Sequence, residues 1–195
     1  IFVLINSLLF VFSAHFLNWI CLALSPIALV IILGYSFTKR FTSLCHFILG
    51  LGLSLSPIGA YLAVTGEFEL LPLLFSSIVL FWVSGFDIIY ALQDEKFDKE
   101  YHLHSIPVLL GKRNALKLSR ALHLVTSFII IGIGIKYFPL SPLYNIASLV
   151  FIGLLINQHI LIKKNDLSKI NMTFFTNNGI ASIVFALLVI TDLLF

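Results

Sequence analysis

The sequence has little charge. Only 11% of its 195 residues are Asp, Glu, Lys or Arg, against about 25% in an ordinary soluble domain. So few charges cannot wet a surface of that size, which excludes a soluble globular domain. Cysteine is scarce too. Cys21 and Cys45 lie inside apolar stretches and match no metal-ligand spacing, so they read as small buried hydrophobes and not as a thiolate metal centre. No linker, low-complexity run or internal repeat divides the chain, which is expected to form one domain over residues 1–195. No basic flank followed by an A-x-A-like site marks a cleavable signal peptide. The chain opens at Ile1, without Met and within an apolar run, and is expected to be an amino-terminally incomplete piece of a longer protein.

What is present is hydrocarbon. Apolar residues make up 59% of the chain and the mean hydropathy is +1.06. A helix needs about 20 apolar residues to cross a hydrocarbon core of about 30 Å, and hydropathy with turn signals predicts seven such spans. They cover residues 1–16, 19–37, 43–63, 70–90, 114–137, 143–162 and 173–194. Helices satisfy their own backbone within lipid, so the expected fold class is an all-α, polytopic membrane helical bundle. Connections are short except for the polar stretch 91–113. Alternation of seven spans puts eleven of the twelve Lys and Arg residues on one side and only Lys136 on the other. Short loops rich in Lys and Arg stay in the cytoplasm, so the basic side is predicted to be cytoplasmic and the membrane to be the cell's inner (plasma) membrane. The net charge of +3 follows from this bias and carries no implication of nucleic-acid binding.

Acidic residues are concentrated instead of scattered. Five of nine fall between residues 87 and 100. On one continuous helix Asp87, Asp94 and Asp98 stand at i, i+7 and i+11, within about 40° of each other, with Tyr90 on the edge of the same face. Three carboxylates on one stripe repel strongly at a membrane boundary unless a cation sits among them. Hard oxygen ligands in a small cluster suit Mg²⁺, which retains waters and accepts phosphate oxygens. The pattern predicts a metal-bridged diphosphate at the cytoplasmic mouth of a helical bundle. Glu95 and Glu100 read as solvated partners of Lys96 and Lys99, and Glu67 and Glu69 as solvated residues on the opposite side. His15, His46, His123 and His159 show no metal spacing and are expected to hydrogen-bond between helices, as is Asn178. His102, His104 and Ser105 are candidates for a supporting role beside the carboxylates.

Two other classes handle charge inside membranes. A secondary transporter uses intramembrane carboxylates as relays or ion sites, but no inverted repeat or pair of broken helices is evident. A membrane phosphotransferase would need a D-G-x-x-A-R-like run, which is missing.

The segment Asp87-x-x-Tyr90-Ala91-x-x-Asp94-x-x-x-Asp98 resembles the second aspartate-rich motif, D-x-x-Y-A-x-x-D-x-x-x-D, of the UbiA superfamily of intramembrane prenyltransferases, 4-hydroxybenzoate polyprenyltransferase-like branch. Further similarities lie in Tyr35-Ser36-Phe37-Thr38-Lys39-Arg40, in Gly50-x-Gly52 with Pro57-Ile58-Gly59-Ala60, in Leu103-His104-Ser105-Ile106-Pro107 with Gly111, and in residues 174–179. The resemblance implies a nine-span bundle around a central cavity, of which the seven spans here would be the last seven. It implies transfer of a polyprenyl group from its diphosphate to an aromatic acceptor such as 4-hydroxybenzoate, in quinone biosynthesis, with Mg²⁺. Asp94, Asp98 and Asp87 would be the catalytic and metal-binding carboxylates. Lys39, Arg40 and Tyr90 would contact the diphosphate. A first motif of the N-x-x-x-D-x-x-x-D type, which the family also carries, does not occur before residue 85. The expectation is therefore that this piece alone is inactive. Alternatives within the resemblance are a haem, chlorophyll or naphthoate acceptor, or a non-catalytic homologue.

Overall fold

A computed structural model describes residues 1–162 and 167–194 of the chain as helices joined by short turns. The order is α1 (Phe2–His15), α2 (Trp19–Thr38), α3 (Cys45–Thr65), α4 (Leu70–Tyr90), the short α5 (Glu95–Glu100), α6 (Ile106–Tyr137), α7 (Pro142–Leu161) and α8 (Asn178–Leu194). A turn of π-helix, Met172–Asn177, leads into α8. No strand occurs among the described residues.

Among the described residues six helical segments are long and apolar enough to cross a membrane, namely α2, α3, α4, α6, α7 and the π turn taken together with α8. The span expected over residues 1–16 folds as the 14-residue apolar helix α1. Other edges shift by a few residues. The largest change is at α6, which begins at Ile106 and not at residue 114, and is interrupted at Gly111 (φ 72°, ψ 158°). Glycine tolerates that backbone at no steric cost. Large side chains such as Phe128, Ile135, Leu149 and Val64 are exposed on the outside, as a surface facing lipid requires.

The bundle is centred on α4, which packs on α3 on one flank and α6 on the other; α7 and α8 pair beyond α6. Close approach of α3 and α4 depends on Gly50, where an added Cβ would stand 2.6 Å from the Leu80 carbonyl oxygen and closer still to Ser84 Oγ. Backbone cannot rotate out of the way. We expect Gly50→Ala to destabilise the bundle by about 1–3 kcal/mol, seen as a lower melting temperature in detergent; an unchanged melting temperature would show that the helices separate freely here. Pro57, inside α3, interrupts the helix's own ladder, and the adjacent Ile58 N–H donates to Ser76 Oγ of α4 at 3.2 Å. Hydroxyls of a neighbouring helix commonly repair such breaks inside a membrane.

Two apolar clusters stack along the bundle. One, with Ile130, Ile133, Tyr144, Phe151 and Val189, joins α6, α7 and α8. The other, with Ile88, Leu92, Ile106, Leu116, Ile162 and Ile170, lies under the carboxylate segment. Asn178 accepts from Trp82 Nε1 at 3.2 Å and from Gln158 Nε2, and donates to the Phe174 carbonyl at 2.9 Å. The expected interhelical role of Asn178 is met.

Candidate functional site

The continuous helix on which Asp87, Asp94 and Asp98 would share a stripe does not form. The chain leaves α4 after Tyr90, turns through Ala91–Asp94 and enters α5. Within the turn Leu92 is fully buried in the lower apolar cluster. The three carboxylates still share one electrostatic neighbourhood, but through the fold of the turn and not through helical periodicity. Asp94 sits half-buried in the turn, and its carboxyl is held above its ordinary value. Desolvation is the chief cause; Lys39 pulls the other way, while Asp98 and Asp87 add to the rise.

Asp98 is fully buried. Lys39 Nζ stands 2.8 Å from its Oδ1, yet neither carboxylate oxygen has an aligned hydrogen-bond donor among the described residues. A buried ionised group with so few donors is costly. The surrounding loop explains how it is held. Leu103 N–H donates to the Asp98 carbonyl at 2.8 Å, and His104 N–H donates to the Lys39 carbonyl at 2.7 Å. Cys45 Sγ lies 3.6 Å from the His104 carbonyl oxygen. The Leu103–Ile106 run is thus a strap that fastens α5 to the end of α2 and the start of α3.

Arg40, expected beside Lys39, is exposed and lies over the Phe37 ring at 5.7 Å. It pairs with no carboxylate among the described residues. Tyr90 lies against Phe174 with ring centroids 4.2 Å apart. Glu95 pairs with Lys99 at 2.7 Å, as expected, and also approaches Lys112 at 3.8 Å. Lys163 and Lys164, counted among the basic residues of this end, lie outside the described residues.

His46 hydrogen-bonds between helices as expected, but its partner is a site carboxylate, which the sequence reading did not foresee. Its Nδ1 stands 2.6 Å from Asp87 Oδ2, and its Nε2 accepts from the Ile106 N–H at 3.3 Å. A backbone amide can only donate, so Nε2 is the acceptor and the proton sits on Nδ1, facing the carboxylate. The imidazole is 2% exposed. It fixes Asp87 to the first turn of α6. Its partner in sequence is 41 residues away, so no local spacing signals it.

Phe86, the residue before Asp87 on α4, lines an apolar passage. A cavity of about 400 Å³ is lined by Leu53, Trp82, Val83, Phe86 and Asn178 among others. A second, of about 840 Å³, runs between α3, α4, α7 and α8 to Glu69 and Leu193. They share Ser56, Pro57, Val79, Trp82 and Ser182, so together they extend from the residue before Asp87 towards the opposite end of the bundle.

Among the described residues no three His, Cys, Asp or Glu side chains could hold a metal ion by themselves. The donor set fits Mg²⁺ in the manner usual for phosphate enzymes, with one or two carboxylates, waters and phosphate oxygens. Asp98, whose oxygens lack aligned donors, and its neighbour Asp94 are the residues that would hold it.

The bundle thus gathers carboxylates and a lysine at one end, with an apolar passage running towards the other. Comparison defines the class: the chain belongs to the UbiA prenyltransferase family, which it matches over residues 1–179. It superposes on the apo structure of a UbiA homolog from Aeropyrum pernix with a TM-score of 0.83 and 31% identity, covering 96% of this chain and 69% of that one. It is 29% identical over 170 residues to a 4-hydroxybenzoate octaprenyltransferase of Methylococcus capsulatus, covering 87% of this chain and 58% of that protein. A protein of the same name from Vesicomyosocius okutanii is 29% identical over 168 residues, covering 86% of this chain and 61% of its own length. The chain therefore spans about three fifths of the curated relatives it matches. It is a multi-pass membrane protein of this family.

Proposed function

We propose that the full-length protein transfers a polyprenyl group from polyprenyl diphosphate to an aromatic acceptor of the 4-hydroxybenzoate kind, in quinone biosynthesis, with Mg²⁺ as cofactor. The observation that carries this reading is Asp98: a fully buried carboxylate, short of donors and paired with Lys39. Family membership and the names of the relatives support it. The positive-inside pattern supports a cytoplasmic face for the carboxylates in the inner (plasma) membrane.

Ionising the allylic C–O bond leaves two electrons on the diphosphate oxygen and a cation on the prenyl carbon. Bound Mg²⁺ would supply charge stabilisation to that leaving group. Lys39 supplies a further cation to the diphosphate, with Arg40 and Tyr90 at its margin. Trp82 and Phe86, whose rings meet at 5.4 Å, present aromatic faces where the prenyl cation develops, which stabilise it and exclude water. The acceptor ring attacks the prenyl carbon and then gives up the proton from its new sp³ carbon. Asp87, oriented by His46, is the residue assigned to receive it.

The test is to supply membranes carrying the full-length protein with polyprenyl diphosphate and 4-hydroxybenzoate. Prenylated acid and diphosphate should appear one for one and stop when Mg²⁺ is chelated. Proton-coupled solute flux without diphosphate release would favour a transporter instead.

His46→Ala is expected to lower turnover by about 10–100-fold, the usual effect of removing a group that orients an active carboxylate. His46→Gln, which can still donate to Asp87, should recover part of it. Equal turnover in all three proteins would remove His46 from the site.

A further inference from the structure

A second polar feature lies behind the carboxylate site and takes no part in the proposed chemistry. His123 of α6 and His159 of α7 meet with Nδ1 and Nε2 2.9 Å apart. His123 Nε2 lies 3.3 Å from the Trp82 carbonyl oxygen, which can only accept, so Nε2 carries the proton. His123 Nδ1 is then the acceptor and His159 Nε2 the donor. This chain of tautomers leaves His159 Nδ1 with a bare lone pair, buried and without a partner among the described residues.

The pair forms the inner wall of a pocket of about 380 Å³ between α6 and α7. Its sides are Leu124, Ile156 and Ile160, all exposed on the outer surface of the bundle. Arg120 also lines it and forms no ion pair with a carboxylate among the described residues. Arg120 and Leu124 stand one turn apart on the same stripe of α6, and Lys117 continues that stripe towards the carboxylate end.

A cation with no carboxylate partner among the described residues, at one end of an open, apolar, lipid-facing groove, selects an amphipathic anion. Basic pockets between membrane helices commonly hold acidic lipid headgroups. We propose that this pocket binds an anionic phospholipid from the surrounding leaflet, its phosphate at Arg120 and one acyl chain along Leu124, Ile156 and Ile160. The bound lipid lies against the His159–His123 pair, and His123 in turn fills the space beside Gly85, where an added Cβ would collide with its imidazole. Gly85 is two residues before Asp87 on α4, so the pocket abuts the back of the helix that carries the site.

The test is native mass spectrometry of the full-length protein exchanged into detergent with equal phosphatidylglycerol and phosphatidylcholine. The wild type should retain phosphatidylglycerol over phosphatidylcholine by about fivefold, the effect expected for one basic residue facing an anionic headgroup. Arg120→Gln should bring the ratio close to one, and Arg120→Lys should keep most of it. Leu124→Trp, which fills the groove and leaves every charge in place, should also abolish the preference, whereas Lys136→Gln at the other end should not. Melting temperatures in phosphatidylcholine alone check that each variant is folded. No preference in the wild type would overturn the proposal. So would a preference that survives Leu124→Trp, because basic residues would then attract the lipid without a pocket. Displacement of the lipid by excess inorganic phosphate would overturn it too, since the site would then take a free anion.

Discussion

Asp98→Asn is expected to abolish diphosphate release, by at least about 100-fold, while the bundle stays folded. The substitution preserves shape and removes only the charge, at a position that is fully buried and touched by Lys39. On the proposed reading, loss of the carboxylate removes both a ligand for the cofactor and the anion that positions Lys39, and groups that stabilise leaving-group charge are individually worth about 100–1,000-fold. Lys39 is about one-third exposed and can turn its ammonium to water, so the fold should survive. Asp94→Asn should act in the same direction, and it adds a pH signature. Because desolvation and neighbouring carboxylates hold Asp94 above its ordinary value, the acid limb of kcat/KM should lie above the ordinary aspartate range of about 4. The sign for stability is opposite. An acid whose folded pKa exceeds its unfolded one stabilises the fold at low pH, and that contribution fades as pH rises through the folded value. Diphosphate release at wild-type rates in either variant would disprove the assignment of the site.

Lys39→Met should impair both activity and stability, and a double variant separates the two. Removing one member of a buried pair strands the other, at about 3–5 kcal/mol when both are dry. The partial exposure of Lys39 reduces this to about 1–3 kcal/mol here. Lys39→Met with Asp98→Asn removes the stranded charge, so the melting temperature should recover most of what the single variant lost. Turnover should not recover. If the double variant melts as low as Lys39→Met, the ion pair is not what the lysine contributes to the fold. Arg40→Met, by contrast, should leave the melting temperature unchanged, because Arg40 reaches no carboxylate among the described residues.

Hydropathy located the spans because lipid imposes a one-dimensional rule: about 20 apolar residues between polar ends. The rule is silent about the break after Tyr90. Ala91, Leu92, Gln93 and Asp94 include no glycine or proline, and three of the four are compatible with a continuing helix. Leu92 packs in one cluster with Ile106 and Leu116 of α6, a contact made across the fold that local sequence does not record. Gly111 carried a visible signal as part of a recognised motif, but a motif match does not say that the backbone there has positive φ. The candidate site divides in the same way. Its carboxylates and Lys39 were legible through the resemblance, since a motif records chemistry that recurs at fixed spacing. Which lysine would meet which carboxylate, and that His46 would reach Asp87, depend on how α2, α3 and α5 are strapped together. No spacing encodes that.

The Lys39–Asp98 contact has one more consequence, for the order in which ligands arrive. An ammonium already occupies the carboxylate that the cofactor would need, so cation entry and ammonium departure are one event. A cation alone must compete with Lys39 and should bind weakly. A diphosphate changes the balance by giving the ammonium somewhere else to go. On the proposed reading the two ligands are therefore positively cooperative: each raises the affinity for the other by the same factor, as linkage requires. The resting protein would then stay unloaded in a cell rich in free Mg²⁺ and fill only when the prenyl donor is there to be used.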